Sequence, residues 1–323
     1  MITQISKFTP NPLPDLPRLT KTYHKTVYPY VSPSRPELNV SEKTLFITGA
    51  AGGIGSAICQ AFAQADIAHL VMIGRTQSTL DDAKADLLSK YPELKVTTHA
   101  ASVTDTAMMT RIIRGTGKID VLICAHAICH EVTRTSTIDP TELLKILETN
   151  TVGNFNIMSS VIHEHVLQGW NHEVKVINMS SALSYIHICH LSGYAASKAA
   201  MNLLVSHLSM QWSAHGISIF SVCPTLSYTG LTGKVYPPES PIWEDANLSA
   251  GFCLWLCQPE AKFLTGKLLW AQWNVPELLE KKEWIEKQAW HLEMGLNLPS
   301  LERPSEGTVV VDKLGKSHIK GEA

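Results

Sequence analysis

The sequence predicts an α/β fold: a doubly wound parallel sheet in a single domain, with an extended N-terminal arm and a C-terminal helix. Three observations predict it. From Lys43 onward, strand-length runs rich in β-branched and apolar residues alternate with longer helix-like stretches, the pattern of a parallel sheet covered on both faces. The first run, Thr44-Leu45-Phe46-Ile47-Thr48, leads through the glycine-rich Gly49-Ala50-Ala51-Gly52-Gly53-Ile54-Gly55 into a helix-like stretch from Ser56 to Phe62. Hydrophobic residues make up 45% of the chain and charged residues 17%, ample for a buried core.

Residues 1–40 hold seven of the seventeen prolines, at 10, 12, 14, 17, 29, 33 and 36, which argues against regular helix or sheet. This segment reads as an extended arm whose Tyr23, Tyr28 and Tyr30 can lie on the core. Strands are expected at 44–48, 69–73, 95–100, 119–124, 174–179, 217–222 and 267–272. Helices are expected at 54–65, 77–90, 105–115, 140–168, 193–214, 244–257 and 276–292. The stretch 244–257 is apolar nearly all round, so it is either buried or at a subunit contact. The expected organisation is thus the arm (1–40), the sheet domain (41–275), a helical extension (276–298) and a flexible tail (299–323).

A net charge of −2 leaves no basic footprint for DNA or RNA. Seven cysteines, an odd number without framework spacing, suit a reducing compartment. No signal-peptide pattern opens the chain and no 18-residue apolar run crosses a membrane, so the cytosol is the expected location.

The chemistry concentrates further along. Tyr194 and Lys198 stand four residues apart in Gly193-Tyr194-Ala195-Ala196-Ser197-Lys198, with Ser181 thirteen residues before Tyr194. On a helix that spacing sets phenol and ammonium on one face, one turn apart. A close cation lowers a tyrosine pKa and makes the phenol a proton donor or acceptor near neutrality. The glycine turn after the first strand lets backbone approach a pyrophosphate at a helix N-terminus. After the second strand the usual ribose-binding acid is absent: Gly74 makes room and Arg75 follows. An arginine fork suits a 2′-phosphate, favouring NADP(H) over NAD(H), unless Arg75 only packs across the adenine.

With these motifs in order, the chain resembles the short-chain dehydrogenase/reductase family and its Rossmann-like fold. The matching residues are Thr48-Gly49-x-x-x-Gly53-Ile54-Gly55, Asn150 in Asn150-Thr151-Val152-Gly153, Ser181, Tyr194-x-x-x-Lys198, and Pro224 followed by Thr229. The Tyr23–Pro29 segment and the Pro259–Gly266 run look like fungal members associated with secondary metabolism. The resemblance implies a catalytic set of Asn150, Ser181, Tyr194 and Lys198. In it Tyr194 exchanges a proton with the substrate oxygen and Ser181 holds that oxygen. Lys198 tunes the phenol and binds ribose, while Asn150 holds a water that links Lys198 to solvent. It implies nucleotide contacts from Gly49, Gly53, Ile54, Gly55, Arg75, Ser102, Val103, Ala125, Tyr194, Lys198, Pro224 and Thr229. It also implies a homodimer or homotetramer, joined through the helices expected at 140–168 and 193–214.

Some positions depart from the family. Cys124-Ala125-His126-Ala127 replaces Asn-Asn-Ala-Gly, Ser102 replaces an aspartate, and Thr225 replaces the glycine after Pro224. The cluster Cys124-x-His126-x-x-Cys129-His130 matches no zinc spacing and reads as lining of the cleft, with no metal expected. Substrate contacts are expected from Leu183, His187, His190, Leu226 and Trp243, although the two histidines also fit as ordinary loop residues. The apolar, aromatic character of 182–192 and 225–245 fits a bulky polyketide or terpenoid ketone. The expected function is therefore NADP(H)-dependent interconversion of a ketone and a secondary alcohol. The alternative is a family descendant performing non-redox isomerisation or cyclisation in the same cleft.

Overall fold

The computed structural model describes residues 19–186, 190–287 and 291–294, with two short strands at 309–311 and 317–319. Seven parallel strands form one sheet: β1 (Thr44–Thr48), β2 (His69–Gly74), β3 (Lys95–Ala100), β4 (Val121–Cys124), β5 (Val174–Met179), β6 (Ile217–Cys223) and β7 (Leu268–Trp270). Their order is β3-β2-β1-β4-β5-β6-β7. The chain therefore winds outward from β1 in one direction, then returns to β4 and winds outward in the other. The reversal opens a crevice at the carboxyl ends of β1 and β4.

The helices are α1 (Gly53–Gln64), α2 (Gln77–Lys90), α3 (Thr106–Thr116), α4 (Pro140–Leu147), α5 (Asn154–Leu167), α6 (Ser192–Trp212), α7 (Ala246–Leu256), α8 (Val275–Glu280) and α9 (Lys282–Lys287). They cover both sheet faces, so the strands are apolar on both sides. In β1, Leu45 and Ile47 enter one core with residues of α1, α2 and α7. Phe46, between them, enters the opposite core with α3, α5 and α6.

Two expectations need correction. The single helix foreseen at 140–168 is α4 and α5 joined by a wider π-type turn over Glu148–Gly153. Asn150 lies in that turn, and the Asn154 side chain donates to its carbonyl oxygen at 2.7 Å, a partner for an acceptor outside the regular ladder. The helix foreseen at 276–292 breaks at Lys281 into α8 and α9. Four consecutive charged residues, 280–283, offer no buried face to hold it together there. Within the tail, β8 (Val309–Val311) and β9 (Ser317–Ile319) pair antiparallel, in keeping with the extended preference of its valine run.

The arm lies along the sheet domain. It holds two 3-10 turns, Pro29–Val31 and Pro36–Leu38. Each starts on a proline, where a missing N–H costs nothing. A single antiparallel bridge pairs Tyr23 with Trp273. His24 N–H donates to the Gln272 carbonyl at 2.8 Å, and Asp245 N–H to the Lys25 carbonyl at 3.0 Å. Tyr23, Tyr28 and Tyr30 pack against the core, as expected. The arm also resolves the two readings of α7: residues from Leu248 to Leu256 are all buried within the chain itself.

Candidate active site

At the end of β1 the chain turns on Gly49, whose φ of +67° suits glycine. A Cβ there would lie 2.8 Å from the backbone nitrogen of His126. One at Gly55 would overlap the Gly49 carbonyl oxygen. Helix α1 starts at Gly53 without a side-chain cap, so its first N–H groups remain for an anionic ligand. Ile54 is half-buried beside Gly53. The Thr229 methyl group rests on Gly53, 2.8 Å from where a Cβ would stand, which brings two predicted nucleotide contacts together.

Arg75 is exposed at the end of β2. The space at Gly74 belongs to Leu80 of α2, 3.1 Å from a Cβ placed there, so Gly74 serves helix packing rather than a ligand. Ser102 is exposed, with its hydroxyl 2.8 Å from that of Thr104. Val103 is buried, and its carbonyl oxygen lies 3.1 Å from a Cβ placed at Gly153 of the wide turn. Ala125 N–H continues the β1–β4 pairing by donating to Thr48 O at 3.2 Å. After Pro224, Thr225 turns inward. Its N–H donates to Ser249 Oγ of α7 at 2.8 Å, and its hydroxyl lies 2.8 Å from that of Ser227.

Tyr194 and Lys198 lie in the first two turns of α6, both buried, and Lys198 Nζ is 5.7 Å from the centre of the Tyr194 ring. Lys198 also donates to the Met179 carbonyl at the end of β5, at 2.6 Å. Two residues on, Ser181 Oγ accepts from Leu183 N–H at 3.2 Å. Burial pushes the Tyr194 phenol above its ordinary pKa, the nearby Cys129 and Cys223 add to this, and the hydrogen-bonding Ser181 hydroxyl opposes it. The lowering expected from the Tyr-Lys spacing is thus not what the protein's own groups produce; burial wins. Burial also brings Lys198 down to about 8.

Asn150 is fully buried and its side chain is committed. Oδ1 accepts from Ile128 N–H at 2.9 Å. Nδ2 donates to Ile128 O at 2.8 Å and to Ser197 Oγ at 3.0 Å. It therefore ties the loop after β4 to α6.

The histidines of that loop, read from sequence as cleft lining, are clamps. His126 Nδ1 lies 2.7 Å from Thr48 Oγ1 and Nε2 lies 3.1 Å from Thr149 O. The second contact fixes the proton on Nε2 and leaves Nδ1 to accept. Burial lowers its pKa to about 4, so the ring is neutral at physiological pH. His130 is buried and, like His126, bonded at both ring nitrogens. No local pattern announces either role; the clue in the sequence is histidine just past β4, opposite the hydroxyl that ends β1.

On the substrate side, Leu183 is the middle residue of the 3-10 turn Ala182–Ser184 that follows Ser181. His190 is half-buried, its carbonyl accepting from Thr133 N–H at 3.2 Å. Leu226 N–H is held by Glu244 Oε2 at 3.0 Å, a fastening not anticipated from sequence. Trp243 packs edge-on with Tyr228 and Tyr236 inside its own loop, at ring separations of 5.3 and 6.2 Å. His187 lies outside the described residues.

A glycine-turn crevice with serine, tyrosine and lysine at its edge defines a class, and the comparisons agree with it. The profile of the short chain dehydrogenase family matches residues 43–240. The short chain dehydrogenase/reductase AacuD of Aspergillus aculeatus is 33% identical over 279 residues, covering 86% of this chain and 96% of its own. The relative nsrO of Aspergillus novofumigatus is 32% identical, covering 87% of this chain and 97% of its own. Among solved structures, levodione reductase superposes with a TM-score of 0.65 at 22% identity, over 71% of this chain and 95% of that one. A 3-oxoacyl-[acyl-carrier protein] reductase of Brucella melitensis gives 0.67 at 21%, over 79% and 99%. The chain belongs to the short-chain dehydrogenase/reductase family, with fungal relatives, and is an oxidoreductase of the kind that uses a nicotinamide nucleotide.

Proposed function

We propose that this protein is an NADP(H)-dependent oxidoreductase that interconverts a ketone and a secondary alcohol on a bulky hydrophobic substrate, of polyketide or terpenoid type. The observation that carries the reading is Tyr194 buried on one face of α6 with Lys198, opposite the Ser181 hydroxyl. Gly49 and Gly55, where a Cβ would strike neighbouring backbone, keep the turn tight at the start of α1, which fits a dinucleotide whose phosphates meet that helix. Exposed Arg75, with no acid at the end of β2, supports a 2′-phosphate.

When bound, the nucleotide supplies or accepts the hydride. Ser181 donates a hydrogen bond to the substrate oxygen, and Tyr194 gives that oxygen its phenolic proton in reduction or takes it back in oxidation. Lys198, held by the Met179 carbonyl, would bind the nicotinamide ribose and set its positive charge beside the phenol, favouring the phenolate as the proton leaves. The Cys124-Ala125-His126-Ala127 departure motivates the non-redox alternative. The clamp made by His126 gives that departure a structural purpose and supports the redox reading.

The six described cysteines are free thiols and no helix among the described residues is long and apolar enough to cross a membrane, which fits a cytosolic enzyme. Exposed Leu203 and Met210 on α6, beside a cleft of about 260 Å³ lined by Phe155, Leu204 and Trp212, support a homodimer through α5 and α6.

The test is NADPH consumption with a hydrophobic polycyclic ketone. Tyr194→Phe should lower kcat by about 10²–10⁴-fold while nucleotide binding holds. Turnover that survives the change rejects Tyr194 as the proton donor. Arg75→Ala should erase a preference for NADPH over NADH. Product formed without nucleotide consumption would favour the non-redox alternative.

A further inference from the structure

The phenol of Tyr194 is only as well aimed as the first turn of α6, and that turn has no cap of its own. Leu191 occupies the N-cap position and makes no capping bond; leucine has no acceptor to offer. The Gly193 N–H is buried, and an unmet buried donor costs roughly 1–3 kcal/mol. The acceptor comes from another part of the chain. His130 Nε2 takes the Gly193 N–H at 3.2 Å. Its Nδ1 lies 2.7 Å from the Glu131 carbonyl, which fixes the proton on that nitrogen and leaves Nε2 as a lone-pair acceptor.

Packing reinforces the hydrogen bond. A Cβ at Gly193 would stand 3.1 Å from His130 Cδ2 and 3.1 Å from Leu143 Cδ1. Glycine therefore lets imidazole and helix backbone meet closely. Two more bonds join the same segments: Thr133 N–H to His190 O at 3.2 Å, and Thr135 Oγ1 to Ser192 Oγ at 2.9 Å. Behind them, Asn150 holds both backbone groups of Ile128. The loop after β4 is thus laced to the start of α6 from one end to the other, and His130 makes the bond next to Tyr194.

We propose that His130 is a positioning residue of the active site: its imidazole caps the first turn of α6 and holds Tyr194 at the angle that proton transfer requires. This rests on the reading of Tyr194 as the proton-transfer group. His130 does not touch the reacting atoms. Loss of its acceptor lets the first turn of α6 fray, and the phenol loses its alignment while the glycine turn that holds the nucleotide is unaffected.

Three proteins test it: His130→Leu, which removes the acceptor; His130→Gln, which keeps one; and Tyr194→Phe as the reference for lost proton transfer. His130→Leu should lower kcat about tenfold and raise the solvent deuterium isotope effect on kcat, with KM and NADPH Kd within about twofold. His130→Gln should restore most of the rate. Hydrogen exchange read without substrate should show the Gly193–Tyr194 amides losing protection in His130→Leu and regaining it in His130→Gln. Where His130→Leu does not fold, Gly193→Ala, whose methyl presses on the imidazole and Leu143, takes its place and should show a kcat loss and exchange in the same direction. A wild-type rate in His130→Leu overturns the proposal, as does protection unchanged from wild type. Equal damage to kcat and NADPH Kd that His130→Gln fails to rescue also overturns it, leaving a purely structural residue. Full activity in Tyr194→Phe would instead remove the reading of the reaction itself, and the exchange data would then stand alone on whether the cap exists.

Discussion

A partly buried imidazole makes a testable contribution at the scale of the single residue. His126 bridges Thr48 and Thr149, and burial holds its pKa near 4 against the ordinary 6.5. Between those values the unfolded chain binds a proton that the folded one refuses, so stability rises with pH across that window. The contribution is complete above about 6.5 and lost as pH falls through about 4, and it amounts to about 3 kcal/mol at most. Urea unfolding from pH 4 to 7 should show a shallower slope for His126→Gln than for wild type. His24, His69, His99 and His165 also carry lowered values, so the quantity to read is the difference between the two proteins. Identical slopes would remove His126 from the account. The proposed catalytic pair was legible in the sequence because its spacing is local: Tyr194 and Lys198 share one helix face whatever surrounds them. His126 was not legible in this way. Its partners lie 78 and 23 positions away in sequence, and only the pairing of β1 with β4 brings them within reach. The raised pKa of Tyr194 escaped for a related reason, since burial is a property of the assembled site.

At the scale of elements, α2 spans 77–90 as the apolar pattern and its flanks predict, and the strands fall within two residues of expectation at the active-site end. Repetition along the chain carries that information. The wide turn between α4 and α5 is different, because what shapes it lies outside the helix. Asn150 is drawn toward Ile128 and Ser197, and Asn154 takes up its carbonyl. Asn150→Ala would leave the Ile128 N–H and carbonyl without their side-chain partner inside the protein. Each buried orphan costs roughly 1–3 kcal/mol, so destabilisation of about 2–4 kcal/mol is expected, measured by denaturant midpoint at unchanged m-value. A loss below about 0.5 kcal/mol, the range of an ordinary surface change, would show that water replaces the amide readily and that the turn does not depend on it.

Over the whole molecule, the two helical layers are finished in different ways. The layer of α3, α5 and α6 leaves Leu203 and Met210 exposed at 48% and 78%, beside the cleft lined by Phe155, Leu204 and Trp212. Light scattering should therefore return twice the 35.6 kDa chain mass. Leu203→Glu with Met210→Glu should return the single mass; a wild-type monomer would refute the interface. The opposite layer is closed by the chain itself. Proline content showed that the arm is extended, but not where it lies, because its partners around 245, 251 and 272–277 come together only after the sheet has formed. At its centre, Gly251 of α7 faces Val31, and a Cβ at 251 would overlap the Val31 carbonyl oxygen. Gly251→Ala must therefore lift the arm or bend α7. Inserting one methyl group into a packed contact costs about 1–3 kcal/mol, while alanine's better helix propensity returns up to about 1 kcal/mol. The net loss should lower Tm by about 2–6 °C and speed proteolysis within residues 19–40, as α7 loses its cover. A Tm at or above wild type with the arm equally protected would mean that the arm rests on α7 without stabilising it.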